Sequence, residues 1–314
     1  MKGQPLVVSA AAFSLPSFAK INWRLHVLGR RADGLHELRT VFQTLTLHDQ
    51  LDFALSRDGQ LHLSSDSPDI PLDRTNLVYR AAAALRERYG IKAGASIKLE
   101  KVIPVEAGLG GGSSNAAVAL LGLAHLWQLE TSRAELVEIG ARLGADVPFF
   151  LTGGTALGTG LGTEVSPLTE VTAERLLIVK PAAKVSTAEA YKSLNAPALT
   201  KADGDIILSI SRADGQFSDS FPDTLHNDFE PVVFRLQPEI ERARNALLGS
   251  GARTALLAGS GSSVFGIFDN EEVRARAVES LGEQRQWRLF SSATLSRTQY
   301  VKALGACAAP LKPF

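Results

Sequence analysis

The chain has 314 residues, in which 33 Lys and Arg balance 33 Asp and Glu. That neutrality offers no electrostatic footprint for nucleic acid or an anionic membrane, and neither is an expected partner. At 45% hydrophobic residues the chain can build an ordinary core, as one large or two medium domains.

Near the start, Lys2 and the apolar run from Leu6 to Phe13 imitate a short signal peptide, with Ala10 to Ala12 as a cleavage-like stretch. Ser9 interrupts the run, and it leads directly into a strand-like segment, Phe18 to Val27. It therefore reads as part of the folded chain. The single cysteine, Cys307, cannot form an internal disulfide, and a reducing, cytoplasmic setting is expected. No run of about 18 apolar residues exists, so no membrane span is expected.

Strands dominate residues 18–63. Asp33-Gly34 marks a tight turn. Residues 49–55 and 60–63 alternate apolar and polar side chains, as half-buried strands do. Thr75 is the expected N-cap of a helix over 76–89, and Gly90 suits its end. A strand follows over 95–103. It runs into Pro104-Val-Glu-Ala-Gly-Leu-Gly-Gly-Gly-Ser-Ser114, and a helix is expected from about Ser113 to Trp127.

Gly108, Gly110, Gly111 and Gly112 let backbone approach a ligand closely. The helix start supplies unpaired N–H groups and the positive end of a dipole. Together these make a cradle for a nucleotide triphosphate. The small hydroxyls of Ser113 and Ser114 suit phosphate oxygens or a bound Mg²⁺. No lysine follows the glycines, so this is not a Walker A loop. It half resembles a dinucleotide fingerprint, but Ser113 stands where the third glycine belongs. Glu130, at the spacing of that fingerprint's acidic residue, follows a helix and not a strand, which disfavours a dehydrogenase.

Ser132 and Glu135 form a capping box for a helix ending at Gly144. The glycine-rich stretch 153–163 reads as a hairpin or a pair of turns, since no helix start follows it. The character of the chain changes around 168–174. Two domains are expected there, 1–170 and 171–314. The second reads as a strand at 176–180, a helix from the capping box at Ser186, and helices near 205–211 and 228–248. Strands at 254–257 and 264–268, a helix after Asn270 and a strand at 288–295 follow. That order is a split βαβ, ferredoxin-like unit. Residues 213–223 read as a polar surface loop.

Three other segments carry possible chemistry. Lys20 sits in Ala19-Lys-Ile-Asn22, where spacing alone suggests a solvated strand lysine. Asp146 sits in Gly144-Ala-Asp-Val-Pro148, where it could equally be an N-cap. Gly259-Ser-Gly-Ser-Ser263 is a hairpin or the wall of a phosphate cleft.

Ala19–Asn22, Pro104–Ser114 and Leu257–Ser263, in that order, resemble the three motifs of GHMP kinases. Within that superfamily, Arg31-Ala-Asp-Gly34 with His36, Thr75-Asn-Leu77 and Leu143–Pro148 resemble the 4-diphosphocytidyl-2-C-methyl-D-erythritol kinase family. The likeness covers about residues 15 to 300. It implies an α+β fold, with an N-terminal domain like ribosomal protein S5 domain 2 and a ferredoxin-like C-terminal domain. It implies transfer of the γ-phosphate of ATP, with Mg²⁺, to the 2-hydroxyl of the methylerythritol moiety in a step towards isoprenoid precursors. By matched positions, Asp146 would be the general base and Lys20 its charged partner. Asn76 and Lys101 would lie near the adenosine. Pro104, Gly108, Leu109, Gly110, Gly111, Gly112, Ser113 and Ser114 would wrap the triphosphate. Asn22 would bind a substrate hydroxyl. His36 would read the cytosine edge, and Tyr191 would stack on the base with Thr187 nearby. The metal ligand is not given by the resemblance.

Two departures stand out. Leu35 occupies a place where the family commonly has tyrosine, which leaves an aromatic sandwich around cytosine one-sided. Glu106 lies in the phosphate loop, where its charge is unfavourable unless it points away or helps hold Mg²⁺. A sister kinase acting on homoserine or mevalonate is the nearest rival reading. A nucleotide-sensing module without catalysis is another, and intact Lys20 and Asp146 weigh against it.

Overall fold

The computed structural model describes residues 12–199, 221 and 224–311. The signal-like residues 1–11, the helix expected near 205–211 and most of the polar loop at 213–223 lie outside the described residues.

The first sheet is built on a long antiparallel hairpin, β1 (Phe13–Arg30) and β2 (His36–Ser56). Its turn forms where Asp33-Gly34 predicted one. Gly34 takes a φ of 83°, and the Asp33 carboxylate accepts the Leu35 N–H at 3.0 Å. β3 (Leu61–Ser65) runs parallel to β4 (Gly94–Glu100), and α1 (Leu77–Tyr89) makes the crossover. α2 (Gly111–Leu126) lies under the sheet, and beyond its polar first turn it is buried and apolar on nearly every face, as a core helix is. Gly122 lets α2 press on the sheet: a Cβ there would meet the Phe53 ring at 2.6 Å. α3 (Arg133–Leu143) starts on the predicted capping box, with both reciprocal bonds formed. After α4 (Val147–Phe150), β5 (Thr155–Gly160) and β6 (Glu164–Pro167) form an antiparallel hairpin beside β2. The stretch 153–163 is thus the turn-and-hairpin region its glycines suggested.

The second sheet contains β7 (Leu176–Pro181), β9 (Thr254–Leu257), β10 (Val264–Ile267) and β11 (Trp287–Ser292). Its order is β11-β7-β10-β9, with every pair antiparallel. α5 (Thr187–Leu194), α6 (Glu230–Leu236), α7 (Pro238–Gly249) and α8 (Glu271–Gly282) complete the strand–helix–strand–strand–helix–strand pattern of a ferredoxin-like unit. A two-residue strand, β8 (His226–Asn227), leaves this unit and pairs in parallel with β1.

Several boundaries moved. Asn76, not Thr75, caps α1: its side chain accepts the Val78 N–H at 2.8 Å, while Thr75 is held by Asp73. The single helix expected over 228–248 breaks at Gln237. Pro238 follows, and a residue before proline is driven out of the helical region; Gln237 sits at φ −140°, ψ 82°. The last strand stops at Ser292 because the chain then crosses to the other sheet, where Leu295 N–H donates to Thr44 O. α9 (Arg297–Ala303) and a 3₁₀ turn (Gly305–Leu311) follow. Tyr300, Leu304, Cys307 and Ala308 pack into the core around α2. Tyr300 donates its hydroxyl to Phe150 O at 2.5 Å. The residues after 294 therefore complete the first core although they follow the second sheet in the chain. Burial there pushes the Cys307 thiol up to about 11.

Candidate active site

The glycine loop is held at both ends. At its entry, β4 stops at Glu100, and the N–H groups of Val102 and Ile103 turn to the Asp49 carboxylate at 2.8 and 2.7 Å. Asp49 is fully buried at the middle of β2. It also accepts from Lys101 Nζ at 2.6 Å and Asn115 Nδ2 at 2.9 Å. Asn115 lies in the first turn of α2, so one carboxylate ties the approach to the loop to the helix after it. Burial lowers the Lys101 ammonium, with Asp49 acting against that. Sequence reading passed over Asp49, because it looks like the polar member of an alternating strand.

Removing one partner of such a buried pair leaves a charge without compensation. We expect Asp49→Ala to cost about 3–5 kcal/mol. Urea denaturation checks it, and a midpoint like that of the wild type would show that the network does not carry the loop.

The loop itself is wedged between the two sheets. Gly108 and Gly110 take left-handed φ values of 75° and 70°. A Cβ on Gly108 would lie 1.9 Å from Ala258 O, and one on Gly110 would lie 2.8 Å from Lys20 Cγ. Backbone bonds fasten it on both sides: Lys20 N–H to Leu109 O at 2.9 Å, and Ser263 N–H to Ala107 O at 3.1 Å. α2 then begins at Gly111 with no side-chain cap on its first amides. Those amides are available to an anion.

The loop borders a cleft of about 650 Å³ between the sheets. Lys20, Asn22, Asn76, Lys101, Pro104, Gly108 to Ser113, Asp146, Thr187 and Tyr191 all reach it. The Asp146 carboxylate lies 3.4 Å from Lys20 Nζ. Lys20 is buried on β1 and is not the solvated strand residue that spacing suggested. Its ammonium also donates to Asn22 Oδ1 at 2.8 Å, and Asn22 in turn donates to Thr40 Oγ1 at 2.7 Å. Asp146 occupies the N-cap position of α4 but its side chain caps nothing. The carboxylate is turned to the lysine instead.

The late motif closes the same cleft. Gly259 has a φ of 56°, and a Cβ there would stand 3.2 Å from Lys20 Nζ and 2.9 Å from Gly108 O. Ser260 shares a hydrogen bond with Thr187 at 3.1 Å. Asn227 Nδ2 holds this segment through Leu257 O and Gly259 O, at 2.9 and 2.7 Å. No motif pointed to Asn227.

Ser114 lies elsewhere. It is fully buried beneath the loop and accepts from Ser17 Oγ at 2.8 Å, whereas Ser113 faces the cleft. The reason is helical geometry: successive residues of α2 point about 100° apart, so adjacent serines cannot both face one ligand. Glu106 borders the same cleft, with its exposed carboxylate 3.9 Å from Lys184 Nζ.

A second hollow of about 660 Å³ adjoins the cleft through Leu38, Ala145, Leu161 and Tyr191. Leu35 and His36 line it. The His36 ring lies on Tyr191, centroids 4.9 Å apart at 31°, and Phe229 meets Tyr191 edge-on at 4.8 Å. Burial, aided by Arg30, lowers the His36 imidazole, which favours its neutral form. Burial and the Asp146 carboxylate raise the Tyr191 phenol. Leu35 is half exposed at the rim.

Family models for the GHMP kinases N terminal domain and the GHMP kinases C terminal match residues 76–154 and 209–285. A 4-diphosphocytidyl-2-C-methyl-D-erythritol kinase from Syntrophotalea carbinolica is 41% identical over 87% of this chain and 95% of its own. One from Pelotomaculum thermopropionicum is 44% identical over 79% of this chain and 86% of its own. The chain belongs to this family of GHMP kinases.

The family resemblance extends to three dimensions. A crystal structure of 4-(cytidine 5'-diphospho)-2C-methyl-D-erythritol kinase superposes with a TM-score of 0.72 at 34% identity, covering 90% of this chain and 99% of that one. A homoserine kinase from Cytophaga hutchinsonii shares the fold at a TM-score of 0.67 and 18% identity. The two-domain α+β architecture is therefore that of the GHMP kinases. No helix among the described residues is long and apolar enough to cross a membrane.

Proposed function

We propose that this chain transfers the γ-phosphoryl group of ATP to the 2-hydroxyl of 4-diphosphocytidyl-2-C-methyl-D-erythritol, the substrate named for its relatives. One observation carries the reading. The Lys20–Asp146 pair, 3.4 Å apart, sits in the same cleft as a glycine loop and an uncapped helix start.

Phosphoryl transfer is mostly positioning and charge stabilisation. The amides of α2 and the loop from Pro104 to Ser113 receive the triphosphate. Asp146 takes the proton of the attacking hydroxyl. The Lys20 ammonium stabilises charge that builds on the transferring oxygens. Asn22, fixed by Lys20 and Thr40, orients the acceptor. Asn76 and Lys101 border the adenosine side. Mg²⁺ would come with the nucleotide and neutralise its phosphates. Ser113 is the loop hydroxyl that fits it, since it borders the cleft while Ser114 is buried beneath the loop.

The cytidine end would enter the hollow at Leu35, His36 and Tyr191. A neutral His36 both donates and accepts, as reading a cytosine edge requires. The imidazole already covers one face of Tyr191, so a base that stacks on that face must displace it. An aromatic ring at Leu35 would add a second stacking surface. Such contacts are worth about 0.5–1.5 kcal/mol. We therefore expect Leu35→Tyr to lower KM for the cytidine substrate by about two- to tenfold. An unchanged or higher KM from steady-state kinetics counts against this placement.

The function is tested by ADP release with each acceptor separately. The cytidine diphosphate conjugate should be phosphorylated, and homoserine and mevalonate should not. Turnover of either of those in its place, or no ATP consumption at all, overturns the reading.

A further inference from the structure

Behind the active site, β8 lies against the edge of β1, with His226 opposite Arg24 and Asn227 opposite Leu25. That register brings three ligating side chains together. The His26 and His226 rings stack, centroids 4.7 Å apart at 19°. Asp228 Oδ1 is 2.6 Å from His226 Nε2. One ligating atom from each of His26, His226 and Asp228 lies within 4.8 Å of the other two.

We propose that His26, His226 and Asp228 bind a divalent transition-metal ion of the Zn²⁺ class. Two imidazoles and one carboxylate suit Zn²⁺, Co²⁺ or Ni²⁺ and disfavour Mg²⁺, which takes oxygen ligands. Three protein ligands with one open position make a familiar four-coordinate set. Metal–ligand bonds of about 2.0–2.2 Å place ligand atoms roughly 3.5 Å apart. Side-chain rotation covers the difference from the present spacing, and the partly exposed His226 ring leaves an entry path. The metal would enter between His226 and Asp228 and displace the hydrogen they share. A backbone group fixes the carboxylate from behind: Val27 N–H donates to Asp228 Oδ2 at 2.7 Å. Such outer contacts orient metal ligands.

The site has a path to the cleft. Asn227, between two of the ligands, holds Gly259 and Leu257 through its amide. Its Oδ1 accepts the Phe229 N–H at 2.9 Å, and Phe229 packs against Tyr191. An ion on residues 226 and 228 would add to the bonds by which this connector, through His226, Asn227 and Asp228, is already held to β1. This inference is independent of the kinase reading.

The test is titration of the untagged full chain with Co²⁺ and Zn²⁺, without nucleotide. One equivalent of Co²⁺ should give the intense visible absorption of a four-coordinate site. Zn²⁺ should raise Tm, because a ligand that binds only the folded state stabilises it. A large excess of Mg²⁺ should not reverse either effect. His26→Gln, at a partly exposed position, and Asp228→Asn should each weaken Co²⁺ binding by at least about tenfold. His26→Gln/His226→Gln should abolish the Tm shift. Absence of a stoichiometric Co²⁺ spectrum, or equal affinity in His26→Gln, overturns the proposal.

Discussion

An Asp146→Asn enzyme is expected to fold, to bind ATP and to turn over about 10²–10⁴-fold more slowly, the range that general-base catalysis contributes. The fold should survive because the carboxylate caps no helix and its close charged contact is Lys20. The amide has the same shape, and Lys20 keeps its bond to Asn22. What the amide cannot do is accept the proton of the attacking hydroxyl. Single-turnover ADP formation, measured beside ATP affinity, separates the two steps. A kcat close to that of the wild type would remove Asp146 as the base.

Gly108→Ala should be nearly as damaging, for a different reason. Its φ of 75° costs a side-chain-bearing residue about 1–2 kcal/mol. Its Cβ would also stand 1.9 Å from Ala258 O, a backbone atom that cannot swing aside. Either the loop or the 257–263 segment has to move, and these are the two walls of the cleft. We expect kcat/KM to fall by at least about 100-fold, since misplacing reacting groups by an ångström has that scale of effect. Gly90→Ala is the control. Gly90 has a φ of 64° with nothing within 4 Å of its would-be Cβ. It should lose a little stability and no activity. A kcat/KM for Gly108→Ala close to that of the Gly90→Ala control would show that the contact with Ala258 does not hold the loop in place.

Local signals are legible where one stretch of chain supplies both the device and its partner. The Ser132 box, the Asp33-Gly34 turn and the glycine loop before α2 are of this kind. Thr75 failed as a cap because Asp73 competed for it, and competition between neighbours is invisible to a position-by-position reading. Lys20 read as solvated because burial is a property of the assembled molecule. Its partner, Asp146, lies 126 positions further along the chain from Lys20. Asp49 and Asn227 left no motif at all, since each acts on segments distant in the chain.

By itself, the order of residues determined most of the strand and helix pattern, the glycine loop before α2 and the kinship with GHMP kinases, because those depend on short-range stereochemistry and on motifs that survive as strings. Tertiary structure alone decided that Ser113 faces the cleft while Ser114 does not, that residues 294–311 return to the first core, and that Lys20 is buried. Those outcomes come from packing two sheets against each other, where the exclusion of water and the reach of side chains across the interface choose the neighbours.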